Sequence, residues 1–349
     1  MAAPVTPASS ATTAAPDPPS AAWDGRGVSI AQVIDRLAEQ RRPADGPPLN
    51  LAGVLNLVVP VPDGDDVYAT RSLIEGLAGH QPSRAVLLVE PADGEGIDAT
   101  VSTSCRWSGG TASVCVEMIV LSLHGEGRAG DASAIRPLLR SDLPTVLWWP
   151  GPPDADPQGP LARLAPLADR IVTETGRCAD GAAAVERLAA WAPSVDGAVT
   201  DLGGAAITPR RQLIAQMIDV AEIVSPDAGP VRAEITHPAA GPTPEALLLA
   251  GWLRDLARER LELSLRPAAG EAAVLGVDID EPARERRIAV ARMPGRQAAP
   301  VCVTQPGHDG ADRALPLPVS DRGRLLAGEL ELQRRDHAFE RALPFAAEV

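Results

Sequence analysis

The sequence predicts an α/β protein, α+β in its second half: a mixed-sheet α/β domain over residues 25–224, then a smaller α+β domain with mainly antiparallel strands over residues 231–349. Three observations lead there. Residues 51–90 read strand, helix, strand; residues 97–123 read as a hairpin; and a Pro/Gly cluster at residues 225–230 is followed by short apolar runs. At 349 residues the chain can bury two cores.

Taken in order, residues 1–24 are rich in Ala, Pro, Ser and Thr and lack a basic or apolar leader segment, so a disordered tail is expected. Val28, Ala31, Val33, Ile34 and Leu37 recur near helical spacing, with Ser29 as the cap. The nearly all-apolar run 51–61 reads as a strand buried on both faces. A helix over 65–79 and a strand over 85–90 then make a β-α-β unit with a right-handed crossover.

Residues 97–107 and 112–123 are strand-like runs joined by Ser108-Gly109-Gly110-Thr111, which makes the sheet mixed. Helices are predicted over 131–140, 160–168, 182–192 and 209–223, with strands over 145–149 and 170–174. Past the boundary come a strand (231–236), a helix (244–260) capped by Thr243, and hairpin strands over 261–265, 273–278, 287–292 and 300–304. The charged stretch 322–341 reads as one closing helix.

Composition closes off several functions. The 32 basic residues are all arginine against 46 acidic ones, a formal charge of −14, which argues against nucleic acid or an anionic membrane as partner. Without lysine there is no phosphate-loop lysine and no Schiff base. No apolar run reaches about 18 residues, and four scattered cysteines make no secreted disulfide scaffold, so a cytoplasmic address is expected.

Candidate chemistry is sparse. Gly125-Glu126-Gly127-Arg128-Ala129-Gly130 fits the dinucleotide pattern, but the strand before it is the second arm of a hairpin. It supports an alternative reading as a sugar-phosphate or nucleotide-binding enzyme or sensor. The five histidines stand apart from any second ligand at zinc spacing, so neither a metal nor a cofactor is expected. Cys105 and Cys115 lie on the two hairpin arms. A five-residue loop centred on Gly110 would set them opposite, with β-carbons about 4.5–5.5 Å apart, whereas a two-residue Gly-Gly loop would pair Cys105 with Val114. In the first case they are either within reach of a disulfide or a pair of buried thiols.

Trp148 and Trp149 end the run Asp142-Leu-Pro-Thr-Val-Leu-Trp-Trp-Pro150, in a chain with six Trp, one Tyr and two Phe. Successive strand residues face opposite ways, so either the sheet is covered on both sides or one indole is offered to a partner.

Several blocks together resemble the glucose-6-phosphate dehydrogenase assembly protein (OpcA) family. They are Gln81-Pro-Ser-Arg-Ala-Val86, the runs 97–105 and 115–119, the block 142–150, Asp201-Leu202, Thr208-Pro-Arg-Arg-Gln-Leu-Ile-Ala-Gln216 and Leu247-Leu-Leu-Ala-Gly-Trp-Leu253. Order and spacing agree from about residue 28 to residue 265. Where the family usually carries tryptophans in the block 201–211, this chain has Gly204 and Arg210. The resemblance implies a non-catalytic allosteric activator that binds glucose-6-phosphate dehydrogenase and promotes its active oligomer in the pentose phosphate pathway. Trp148, Trp149, Arg210 and Arg211 are then the partner-binding residues to test. It also implies a thioredoxin-sensitive switch at Cys105 and Cys115, with thioredoxin as a second partner.

Overall fold

The six residues of β2 (Leu55–Pro60) are all buried, the mark of a strand covered on both faces. The computed structural model describes residues 21–41, 53–61, 66–77, 81–90, 94–108, 112–125, 132–153, 156, 158–223, 229–293, 296–307, 310, 313–319, 321–332 and 334–349. The side chains of 105–108 and 112–115 also lie outside the description.

With β2 run β1 (Ala21–Gly25), β3 (Ser83–Val89), β4 (Gly96–Ser108), β5 (Ala112–His124), β6 (Thr145–Trp148), β7 (Arg170–Thr173) and β8 (Ala198–Asp201). They form one sheet in the order β1-β4-β5-β3-β2-β6-β7-β8. From β5 to β8 every neighbouring pair is parallel. Numbered along the chain, those six strands run 3-2-1-4-5-6, the doubly wound order whose switch point lies between the first and fourth, here β2 and β6. The antiparallel strands β4 and β1 extend one edge. Ala21 to Asp24 thus belong to an edge strand and not to the tail expected over 1–24.

Helices cover both faces. Leu57, Val59, Ala85 and Leu87 face α2 (Val67–Leu77), whereas Val58, Val86, Leu88 and Ile171 face α1 (Ile30–Gln40), α3 (Ala132–Ile135) and α4 (Pro160–Leu164). The period of two in the pleat divides the two cores. Ser29 caps α1 as expected, and the structure completes a capping box with Gln32. At the other end of the strands, Glu117 receives Arg41 (2.7 Å) and Arg84 (2.8 Å) and ties α1, β3 and β5 together. Burial pushes the Glu117 carboxyl upward, and Arg41 pulls it back.

The second sheet holds β9 (Val231–Pro238), β10 (Leu261–Ala268), β11 (Gly276–Glu281), β12 (Arg286–Ala291), β13 (Ala298–Thr304) and β14 (Arg313–Pro316), in the order β10-β9-β11-β12-β13-β14. The run of hairpins expected there is corrected at its start. β9 and β10 are parallel, because α7 (Pro244–Ala257) makes the crossover between them. One face of this sheet packs on α7 and α6 (Leu202–Ala221) through Ala233, Ile235, Val277, Ile288 and Val301.

Two helix boundaries also differ from expectation. α6 begins at Leu202 and carries Pro209 inside it, where the sequence predicts a start at 209. Asp201 caps it by accepting from the Gly203 amide, and Thr208 Oγ1 returns a hydrogen bond to the Gly204 carbonyl one turn before the proline. The closing segment is two helices, α8 (Arg322–Glu331) and α9 (His337–Ala346), each with an aspartate cap, Asp321 and Asp336. α8 returns to the first sheet, where Leu326 and Leu330 pack among Leu57, Val59 and Trp148. The expected division at 224–231 is therefore crossed by the last helices of the chain.

α7 and α9 approach closely at Gly251, where an added Cβ would lie 2.6 Å from the Ala346 nitrogen and against the Ala342 carbonyl. Both are backbone atoms, so neither can swing aside. Gly251→Ala is expected to cost about 1–3 kcal/mol by forcing the helices apart, measured as a fall in thermal midpoint. An unchanged midpoint would mean that the two helices shift at no cost.

Candidate functional site at the carboxyl edge of the first sheet

In open parallel sheets, ligands sit beyond the carboxyl ends of the strands, at the switch point. Here that edge is built by Trp148 and Trp149 at the end of β6, Thr173 and Glu174 at the end of β7, and Asp201 at the end of β8. The edge is occupied by the chain itself.

Trp148 is fully buried and belongs to the core on the α2 and α8 side. Trp149 points the other way and packs, half-buried, against the α4 side, its indole N–H donating to the Pro152 carbonyl at 2.9 Å. The sheet is thus covered on both faces, the first of the two arrangements that the sequence left open. The Arg322 guanidinium lies 4.8 Å from the centroid of the Trp148 ring and holds Glu174 in a fork, Nε to Oε1 at 2.8 Å and Nη2 to Oε2 at 2.8 Å. One arginine of α8 therefore spans the ends of β6 and β7.

Behind it, Asp201 is wholly buried and accepts at both oxygens. Oδ1 faces the Gly203 amide (2.8 Å) and Thr175 Oγ1 (2.9 Å), and Oδ2 faces the Thr175 amide (2.8 Å) and Thr173 Oγ1 (2.8 Å). Burial pushes its pKa up to about 6, against the pull of those donors. The Thr173 hydroxyl also reaches the Thr200 carbonyl at 2.9 Å. Its single proton can serve only one of the two, so Thr173 Oγ1 can accept from a protonated Asp201 while donating to Thr200.

Three of the four residues proposed for partner contact are buried. Trp148 has no exposed area. Arg210 is 5% exposed and donates Nη2 to the Val274 carbonyl, linking α6 to the second sheet. Arg211 donates to Thr208 Oγ1 and Asp336, joining α6 to the start of α9. Only Trp149 keeps an accessible edge. The sequence could not show this, because Arg322, Val274 and Asp336 lie more than 60 positions from Trp148, Arg210 and Arg211.

The backbone register sets Cys105 opposite Cys115, as a loop centred on Gly110 requires; their side chains lie outside the described residues. The described free thiols are Cys178 and Cys302. Burial pushes the Cys178 thiol upward, which disfavours the nucleophilic thiolate. Residues 126–131 of the Gly-rich stretch also lie outside the description, but its place after β5 puts it behind the third parallel strand and not the first. The segment that follows the first strand reads Pro60-Val-Pro-Asp-Gly-Asp-Asp66, three acids and one glycine, a composition ill suited to a pyrophosphate. Among the described residues, no three His, Cys, Asp or Glu side chains gather as metal ligands, and no helix is long and apolar enough to cross a membrane.

A family model described as the glucose-6-phosphate dehydrogenase subunit N-terminal domain matches residues 75–190, and the corresponding C-terminal domain model matches residues 197–343. The chain belongs to the glucose-6-phosphate dehydrogenase assembly protein (OpcA) family. The two matches cover most of the sequence, and they meet between α5 (Gly181–Trp191) and β8. No curated protein matches the chain. Among solved structures it is similar to a 3-ketoreductase from Actinomadura kijaniata in complex with NADP and TDP-benzene, at 14% identity, covering 85% of this chain and 95% of that one with a TM-score of 0.43. It is also similar to an oxidoreductase domain protein from Kribbella flavida, at 11% identity over 84% and 94% with a TM-score of 0.47. Likenesses this distant carry nothing about chemistry.

Proposed function

We propose that this protein is a non-catalytic assembly factor that binds glucose-6-phosphate dehydrogenase in the cytoplasm and favours its active oligomer, serving the oxidative pentose phosphate pathway. The observation that carries this reading is the family match across both halves of the chain. The filled ends of β6 and β7 support it: beside the switch point, Arg322, Trp148 and Glu174 occupy part of the edge where a doubly wound enzyme would hold its ligand. Activation then follows from linkage. A protein that binds the active form of its partner more tightly than the inactive form shifts the population toward the active one. The acidic balance of the chain suits a basic surface on that partner and speeds their encounter.

Trp149 is the contact residue this reading retains, and Trp148 becomes its support. Trp148→Ala is expected to destabilise the fold by about 3–5 kcal/mol. Trp149→Ala is expected to leave the fold standing and to weaken stimulation of the dehydrogenase. The decisive experiment measures the kinetics of the same organism's dehydrogenase with and without this protein, under reducing and oxidising conditions. A lower KM or higher kcat on addition supports the activator role. A dependence on redox state, lost in Cys105→Ser, supports a thioredoxin-linked switch at the opposed pair Cys105 and Cys115. No kinetic effect and no co-migration on a sizing column would sink the proposal.

A further inference from the structure

Between α6, the first turn of α7, residues 272–274 and residues 317–319 lies a cavity of about 230 Å³. Its charged lining is Arg210, Arg292 and Glu245. Arg210 is 5% exposed, and only one end of its guanidinium is used: Nη2 donates to the Val274 carbonyl at 3.1 Å, while Nη1 is buried without a partner among the described residues. Arg292, half-buried in the same lining, forms no ion pair or side-chain hydrogen bond among the described residues either. Two guanidinium groups thus face one small space, and neither is neutralised by Glu245.

That arrangement is costly in an empty protein. A buried guanidinium donor without an acceptor forfeits its hydration, and a second cation beside it adds repulsion. Burial, and secondarily Arg292, push the Arg210 pKa down to about 10, so it is still charged at neutral pH. Buried charges in proteins are paired, and an unpaired one that lines a cavity calls for a counter-ion. In a chain of formal charge −14 this is a local basic site, which makes chance accumulation of arginine a poor account.

We propose that this cavity is a binding site for a small phosphate monoester of the phosphosugar class. The planar forks of two arginines match a phosphate dianion, which offers acceptor oxygens to both at once. Glu245, in the same lining, repels a second anionic group and accepts from hydroxyls, which selects a ligand with one charged end and one hydroxylated end. The cavity is smaller than the pockets of about 300–1,000 Å³ that hold drug-sized ligands, which favours a small ligand over a dinucleotide. The site is distinct from the carboxyl edge of the first sheet, and it stands whether or not the protein acts on an enzyme partner.

The test is calorimetric titration of the full-length protein, alone, with glucose 6-phosphate, inorganic phosphate and glucose. Saturable binding of the phosphosugar, weaker binding of phosphate and none of glucose is the expected pattern. Arg292→Gln, at the half-buried wall, should weaken phosphosugar binding about tenfold or more while leaving the thermal midpoint unchanged. Arg210→Gln should abolish it; should that variant fail to fold, Arg292→Gln decides. Absence of saturable heat up to about 10 mM phosphosugar, or undiminished binding by Arg292→Gln, would overturn the site. Equal affinity for inorganic phosphate would overturn the sugar class, and a response to glucose alone would overturn the role of the arginines.

Discussion

Glu329→Ala is expected to lower the unfolding free energy by about 3–5 kcal/mol, because it strands Arg170 as a buried cation in the first sheet. Both side chains are 5% exposed, and Arg170 gives Nη2 to Glu329 and Nη1 to the Arg334 carbonyl at 2.7 Å. This one residue of β7 therefore fixes the end of α8 and the linker to α9. Denaturant unfolding measures the loss. The double variant Arg170→Met with Glu329→Leu is expected to recover most of it, since an apolar pair of similar volume needs no compensation. A double variant as unstable as the single would show that packing of α8, and not the uncompensated charge, sets the cost.

The second large effect concerns Asp201 and depends on pH. Its folded pKa of about 6 lies above its ordinary 3.8. A carboxyl shifted upward is held better protonated in the folded state, so its contribution is fully present below the unfolded value and is lost as pH rises through about 6. Between pH 4 and pH 7 the native protein should give up on the order of 3 kcal/mol through this group alone. Asp201→Asn removes the titration, so the stability difference between the two proteins should change over that window and stay flat above it. The asparagine keeps an acceptor for the Gly203 amide but turns an N–H toward the Thr175 amide, so a constant penalty of about 1–3 kcal/mol is expected as well. A pH-independent difference between the two would place the Asp201 pKa near its ordinary value, held there by its four donors.

Local chemistry made much of this fold legible. Ser29 gives the start of α1, the unbroken apolar run gives β2, and the Ser108-Gly109-Gly110-Thr111 stretch gives the hairpin of β4 with β5 but not its register. Long-range packing hid the rest. Gly203 and Gly204 look like helix breakers, yet they open α6 because Phe339 lies where a Cβ on Gly204 would stand, 2.7 Å from its ring. Pro209 imitates a helix start because its missing N–H and fixed φ suit a first turn; inside α6 it follows Thr208, whose hydroxyl donates to the Gly204 carbonyl. The parallel pairing of β9 and β10 was present as a strand-helix-strand pattern, but short strands among prolines and glycines read as hairpins. The burial of Trp148 depends on Arg322 and Leu326, residues that local periodicity cannot connect to it.

The return of α8 to the first sheet also sets the order of events during synthesis. Leu57, Val59 and Trp148 leave the ribosome long before Leu326 and Leu330, the residues that complete their cover. For most of translation the nascent chain therefore presents an unfinished apolar face, the condition that invites chaperone capture or aggregation. A fragment ending after β8 would keep that face open permanently, so the two halves recognised as separate family domains form a single unit of expression.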